Sequence, residues 1–285
     1  MTTGRSWLLR TTALPLGGRT LVMGILNVTP DSFSDGGRLG SVAEAVASAR
    51  AMVEAGADLV DVGGESTRPG AEPVPVADEL RRVVPVVAAL SGEGILTSVD
   101  TSKVAVAAAA IDAGVEVVND VTALSDPAMR SVCAGAGVGV VLVHMRGDPR
   151  TMQDDPSYDD VVREVGDALA AAAAAAEAAG VDPARIVVDP GLGFGKALDH
   201  NLELLRALPE VGRGRPVLVG HSRKRFIGTL AGIPDPADRD EASAVVGALA
   251  VAGGADILRV HAIAPTEIAL RLADAIVRVR HHESQ

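Results

Sequence analysis

The sequence predicts a (β/α)8 barrel, an α/β fold, as one domain spanning residues 1–285. Three observations predict it. Eight short apolar runs, of the kind that parallel strands buried on both faces require, alternate with Ala-rich amphipathic stretches. Glycines stand at several ends of those stretches, at Gly56, Gly114, Gly180 and Gly253, where helices terminate. Polar residues gather where the apolar runs stop, which is where the loops of such a barrel carry chemistry. A doubly wound open sheet is the alternative. It usually has fewer units, and no nucleotide-fold glycine pattern follows the first strand.

In chain order, residues 7–20 are expected to form a short hairpin ahead of the barrel. Strands are predicted near 21–26, 58–62, 95–99, 115–119, 138–143, 185–188, 216–219 and 256–260. Helices are predicted over 41–55, 76–90, 102–113, 126–136, 157–179, 198–208, 241–252 and 265–280. The run Ala168–Ala179 looks low in complexity, but alanine at this density favours helix over linker. Ser222-Arg223-Lys224 is expected to open a further helix after the seventh strand, with Ser222 as its N-cap.

Composition narrows the function. The chain has 285 residues, 48% of them hydrophobic, which is ample for a large core, and no Pro/Ser run or charge block divides it. A net charge of -11 argues against nucleic acid, which needs a basic face. The single cysteine, Cys133, excludes an internal disulfide framework and is expected to fill space in a helix. MTTGRSWLLRTT has no apolar stretch long enough for a signal peptide, and no run approaches a membrane span, so a soluble cytoplasmic protein is expected. Only Trp7, Phe33, Tyr158, Phe194 and Phe226 are aromatic, and only Lys103, Lys196 and Lys224 are lysines.

Two loops stand out. After the first strand, Asn27 leads into TPDSFSDGG, turn chemistry around one ring, Phe33. Such a loop faces water or a ligand; the plainer alternative is a surface loop whose ring tucks onto the barrel. DPGLGFGK, 189–196, resembles a phosphate loop but fits neither standard pattern, since Pro190 and Ala197 stand where a P-loop needs Gly and Ser/Thr. Its glycines are therefore expected to let backbone approach a ligand face. Phe33 and Phe194, scarce aromatics in loops at the mouth, suit contact with flat ligands.

The strand ends carry Asn27, Asp61, Asp100, Asn119-Asp120, His144, Asp189, Ser222-Arg223-Lys224, and Arg259 with His261. Asp100, Asn119, Asp189 and Lys224 would offer acceptors and donors to a flat heterocycle with amino and ring N–H groups. Arg68, Arg259 and His261, with Asn27, suit an anion, because arginine's fork matches phosphate oxygens. Arg259 is expected to serve the anion alone. Against these readings stand an ion-pair network at the barrel mouth and salt bridges at its rim. His144 is equally a core histidine or a ligand, and Met145 lines a wall or packs.

The motifs MGILNVTPDSFSDGG, DVGGESTRPGA, SVDTSK, VVND, HMRGDPRTMQ, DPGLGFGK, SRKRFIG and RVH, in this order and spacing, resemble the bacterial dihydropteroate synthase family over nearly the whole chain. The resemblance implies condensation of a dihydropterin pyrophosphate with p-aminobenzoate in folate synthesis, with Mg²⁺, a homodimer and inhibition by sulfonamides. It implies a pterin pocket of Asp100, Asn119, Asp189 and Lys224, walled by Met145, Gly193 and Phe194. It implies a pyrophosphate site of Asn27, Arg68, Arg259 and His261, Asn27 being the metal ligand, and a p-aminobenzoate site of Phe33, Thr67, Pro69 and Ser222. Asp100, Lys224, Arg259 and His261 are the residues it makes catalytic. One departure is visible: many relatives have Asp after RVH, where this chain has Ala262, so His261 is expected to be without one possible orienting partner. The rival readings are a Schiff-base lysine at Lys224, a pterin-dependent methyltransferase, and a silent paralogue that binds pterin without turnover.

Overall fold

A computed structural model of the chain describes residues 5–28, 38–66, 70–148, 151–154 and 156–278. The hairpin forms as expected, with strand β1 (Ser6–Leu8) antiparallel to β2 (Ala13–Pro15). Eight parallel strands follow: β3 (Leu21–Asn27), β4 (Leu59–Gly63), β5 (Thr97–Asp100), β6 (Val117–Asp120), β7 (Gly139–Val143), β8 (Ile186–Asp189), β9 (Leu218–Val219) and β10 (Ile257–Val260). They pair in the order β8-β7-β6-β5-β4-β3-β10-β9. A parallel bridge between Val188 and Val217 joins the two ends, so the sheet closes into the predicted barrel. The seventh barrel strand is shorter than the apolar run suggests, because Pro216 has no N–H for the ladder and the Val217 N–H donates to the Asp256 carboxylate at 3.0 Å. Its carbonyl still accepts from the Val188 N–H at 3.0 Å.

The connecting helices are α1 (Arg38–Glu54), α2 (Val76–Gly92), α3 (Val104–Asp112), α4 (Pro127–Ala136), α5 (Val161–Ala178), α6 (Leu198–Arg206), α7 (Leu208–Gly212), α8 (Arg225–Ala231), α9 (Asp240–Ala252) and α10 (Ile263–Val277). Three depart from expectation. The stretch 198–208 stops at α6, and Pro209 sits in the first turn of a separate α7, where its missing N–H costs nothing. Helix α5 starts at Val161, where the Asp160 carboxylate accepts from the Arg163 N–H at 2.9 Å, rather than at 157. Tyr158, outside the helix, donates its hydroxyl to the Gly195 carbonyl at 2.9 Å. Helix α8 begins at Arg225, with Lys224 at its N-cap position and no side-chain cap. The expected Ser222 cap is therefore not formed. Cys133 is buried within α4, as expected.

Alternation along each strand divides the core in two. One face packs under the helices in a large apolar layer. The other fills the barrel, where Met23, Leu59, Val117, Val187 and Ile257 meet Trp7, Leu9 and Leu16 of the hairpin. The indole N–H of Trp7 donates to the Arg185 carbonyl at 2.9 Å, just before β8. The hairpin thus plugs the N-terminal end and leaves the C-terminal end as the mouth. There the interior positions turn polar at the next inward residue: Asp61 follows Leu59, Asn119 follows Val117, Asp189 follows Val187 and Arg259 follows Ile257.

Candidate active site

Arg259 lies at the centre of the mouth. Its Nε donates to Asp61 Oδ2 at 2.6 Å and its Nη2 to Asp100 Oδ2 at 2.6 Å. Asn119 Nδ2 donates to the same Asp61 oxygen at 3.1 Å. One guanidinium therefore serves two carboxylates away from water, and the charges do not balance locally. Burial first, then the Asp61 charge, raises the Asp100 carboxyl to about 7 against the pull of Arg259. Arg259 itself, despite burial, is held above the ordinary arginine value by Asp61 and Asp100. Asp61 Oδ1 and Asn119 Oδ1 are buried acceptors with no hydrogen-bond partner among the described residues. Buried acceptors without partners are costly, so this floor is built to receive N–H groups or positive charge.

Asp189 ends β8. Its Oδ1 accepts from the Gly191 N–H at 2.7 Å. A side chain on Gly220 would stand 3.3 Å from its Oδ2, so glycine there keeps the second oxygen uncovered. Burial raises the Asp189 carboxyl, opposed by the Gly191 N–H and by Lys224. Lys224 Nζ sits 3.8 Å from the centroid of the Phe194 ring. The structure thus brings Asp100, Asn119, Asp189, Lys224, Gly193 and Phe194 together around the mouth. Met145 lines an adjoining cavity of about 360 Å³ that shares Asp100.

The larger cavity, about 650 Å³, is lined by Asn27, Asp100, Gly193, Phe194, Ser222, Lys224, Arg259 and His261 among others. His261 is oriented despite Ala262: its Nδ1 lies 3.0 Å from Ser222 Oγ, and its backbone N–H donates to that oxygen at 3.2 Å. Ala262 instead occupies the N-cap position of α10, without a side-chain cap. Position 262 thus stands where an acid could cap α10, and Ser222 supplies His261 with another partner. The anion and heterocycle groups also prove not to be separate, since Arg259, expected to serve the anion alone, pairs with Asp100. Phe33, Thr67, Arg68 and Pro69 lie outside the described residues.

The glycine loop needs a partial correction. A Cβ on Gly191 (φ +65°) would stand 1.9 Å from the His144 carbonyl oxygen, and one on Gly195 (φ +63°) 2.3 Å from that of Arg146. Those two glycines admit the chain's own backbone at the exit of β7. Only Gly193 faces the site, 3.2 Å from Lys224 Cδ by the same construction. The loop is held by side chains that sequence reasoning gave no role. Asn201 Oδ1 accepts from the Gly193 N–H at 2.7 Å, and Gln153 donates to the Gly193 carbonyl. Lys196 Nζ donates to the Phe194 carbonyl at 3.0 Å and meets His144 Nδ1 at 3.0 Å. Burial lowers Lys196 to about 7, opposed by Asp189 and helped by Lys224, and lowers His144 to about 3. His144 is thus a core histidine. Asp61 is the other omission. It shares inward parity with Leu59, a signal present in the sequence. Arg225, at the first position of α8, also lines the cavity.

Among the described residues no group of three or more His, Cys, Asp or Glu side chains could hold a metal ion. A Mg²⁺ carried on phosphate oxygens needs only one or two protein oxygens. Asn27 can supply one. A Cβ on Gly63 would stand 3.6 Å from Asn27 Oδ1 and 3.7 Å from Asp100 Cβ, so glycine keeps the space between them open. The donor chemistry fits such an ion.

Fold and site define a barrel whose mouth offers buried acceptors to N–H groups beside an arginine with N–H groups to spare. Residues 23–261 match the family model of pterin binding enzymes. The dihydropteroate synthase of Synechocystis sp. is 45% identical over 265 residues, 92% of this chain and 92% of that protein. A probable bifunctional folylpolyglutamate synthase/dihydropteroate synthase of Haloferax volcanii is 48% identical over 260 residues, and there the match spans 91% of this chain but 31% of that protein. Among solved structures, Xanthomonas albilineans dihydropteroate synthase with 4-aminobenzoic acid superposes with TM-score 0.90 at 47% identity, covering 97% of this chain and 100% of that one. Burkholderia cenocepacia dihydropteroate synthase complexed with 7,8-dihydropteroate gives 0.87 at 43%, covering 96% of each. The chain belongs to the pterin binding enzymes and, among them, to the dihydropteroate synthases.

Proposed function

We infer that this chain condenses 6-hydroxymethyl-7,8-dihydropterin pyrophosphate with p-aminobenzoate, yielding 7,8-dihydropteroate and pyrophosphate in folate biosynthesis. The observation that carries the reading is Arg259 bridged between Asp61 and Asp100 on a floor of acceptors that have no partner among the described residues. Asp189, Asn119 and Asp100 accept from the N–H edge of the pterin, and Lys224 donates to it. The pterin stacks along Phe194 and Gly193, with Met145 at its far wall. Arg259, His261 and Arg68 take the pyrophosphate, using the N–H groups of Arg259 that its two carboxylates leave over. Phe33, Thr67, Pro69 and Ser222 border the p-aminobenzoate.

The methylene C–O bond breaks and its electron pair leaves on pyrophosphate, whose charge the arginines offset. The methylene cation spreads into the dihydropterin ring, where the Asp100 carboxylate stabilises it. The aromatic amine then attacks the methylene carbon and loses a proton, so no strong base is needed. Mg²⁺, held through Asn27 and the pyrophosphate, would neutralise the leaving oxygens when bound.

A homodimer fits the outer surface. Val245 and Leu249 on α9, with Ile268, Leu272 and Ile276 on α10, are large apolar side chains left exposed at helical spacing, Leu249 by 66% and Ile276 by 82%. A cytoplasmic location accords with the absence, among the described residues, of a helix long and apolar enough to cross a membrane. The test is pyrophosphate release by the purified chain with Mg²⁺ and both substrates. Release that depends on p-aminobenzoate, with dihydropteroate formed in equal amount, is expected. No release, or release without dihydropteroate, overturns the reading.

A further inference from the structure

Ser222 and Lys224 both face the site, and the residue between them, Arg223, has φ +60°. A left-handed conformation is strained for a residue with a Cβ and persists only where the surroundings over-determine it. Here they do so at every polar group of the residue. The Arg223 N–H donates to Ser243 Oγ at 3.0 Å, and its carbonyl accepts from Arg239 Nη1 at 3.0 Å. Its guanidinium forks onto Asp240, Nε to Oδ1 at 2.6 Å and Nη2 to Oδ2 at 2.8 Å.

The anchors are themselves fixed. Ser243 donates to the Arg239 carbonyl at 2.6 Å and, through its own carbonyl, meets His221 Nε2 at 2.9 Å. Buried Arg239 donates to the Ile233 carbonyl at 2.9 Å and to that of Pro234. It passes so close under α8 that a Cβ on Gly228 would stand 2.3 Å from its Nε. The first turn of α9 and the turn before it therefore grip His221 and Arg223 together. Ser222 is left turned toward His261 and Lys224 toward Phe194.

We propose that Arg223 is a positioning residue, held left-handed by Asp240, Ser243 and Arg239 so that Ser222 orients His261 and Lys224 meets the pterin. Arg223 and Arg239 reach the cavity wall but Asp240 and Ser243 do not, and the inference rests on the reading of Lys224 as a pterin donor. Without the fork the turn relaxes to negative φ, and both neighbours lose their aim.

The experiment compares Asp240→Ala, Asp240→Asn, and Asp240→Ala combined with Arg223→Gly, on the full chain. Thermal unfolding checks folding, and calorimetry reads the affinity for 6-hydroxymethylpterin. Steady-state rates are read where the wild type turns over. Asp240→Ala is expected to weaken pterin binding by roughly five- to thirtyfold, the factor that corresponds to the cost of one left-handed non-glycine residue. Asp240→Asn should weaken it less, keeping one hydrogen bond. Adding Arg223→Gly should restore affinity without restoring the melting temperature, because glycine adopts φ +60° without strain but cannot rebuild the ion pair. A purely structural clamp would lower the melting temperature and leave affinity unchanged. That result, or a glycine double variant as weak as Asp240→Ala, overturns the proposal. A wild type that binds pterin but makes no dihydropteroate would refute the proposed function while leaving this test intact.

Discussion

Asp100→Asn should make the ligand-free protein more stable at alkaline pH while removing most of its activity. Asp100 is ionised in the unfolded chain above about 3.9, but burial and the Asp61 charge raise it to about 7 in the fold. A carboxyl raised on folding contributes stability that is complete below the unfolded value and is lost as pH rises to the folded one. Above pH 7 the loss has an upper limit of about 4 kcal/mol, from roughly three pK units at about 1.36 kcal/mol each. Asparagine keeps the shape and never ionises, so it escapes that loss. Part of the gain is returned because Arg259 then has one carboxylate instead of two, and ~1–2 kcal/mol should remain. For a domain of this size that is ~2–8 °C in melting temperature. Calorimetric melting of both proteins from pH 5 to 8.5 checks it. The difference should be small at pH 5, grow through pH 7 and then level off. Turnover should fall by about 10²–10³-fold, as when a group aimed at transition-state charge is removed. A variant less stable than wild type at pH 8, or equally stabilised at pH 5 and pH 8, would refute the reasoning.

Asp189→Asn should weaken pterin binding by about one to two decades, the equivalent of roughly 1.5–3 kcal/mol for a charge-assisted bond; near-normal affinity in calorimetry would remove Asp189 from the pocket. Arg259→Lys keeps the charge but cannot fork onto Asp61 and Asp100, so titrations should find both pyrophosphate and unphosphorylated pterin weakened. Loss confined to pyrophosphate would mean that the bridge is incidental. Ala262→Asp should supply the missing cap of α10, worth ~1 kcal/mol and ~2–4 °C, with little change in turnover; an unchanged melting temperature would contradict the capping argument. Leu272→Glu should turn a dimer into a monomer in sedimentation, and a wild type already monomeric at assay concentration would rule out the α9–α10 face as an interface.

The barrel was legible because its period is local. Apolar runs, alanine-rich helices and terminal glycines each declare themselves within a few residues, and polar strand ends marked the mouth. What stayed hidden depends on partners far along the chain. Asp61 sits on the inward parity of β4, yet its role comes from Arg259, 198 residues away across the barrel. Parity says which way a side chain leaves its strand, not whom it meets, so sorting the ring into a heterocycle group and an anion group separated Arg259 from Asp100. A glycine-rich loop does not reveal in its sequence what approaches it; at Gly191 and Gly195 it is the backbone leaving β7 rather than a ligand. Ser222 resembled a cap because it precedes a helix, but the helix starts three residues later and the hydroxyl serves His261.

These corrections bear on mechanism through one point. If the anion site and the heterocycle site were independent, pyrophosphate could leave without altering how the pterin is held. In the proposed reaction Arg259 makes them dependent, because the guanidinium assigned to the leaving group also pairs with Asp100. While pyrophosphate is bound, Arg259 would be shared among three anions and would offset less of the Asp100 charge. Once pyrophosphate departs, Arg259 would belong again to Asp61 and Asp100 alone. Asp100 would thus meet a neutral methylene in the bound substrate and a cation only once the C–O bond has broken, and that stronger attraction to the cation is the differential binding that catalysis requires.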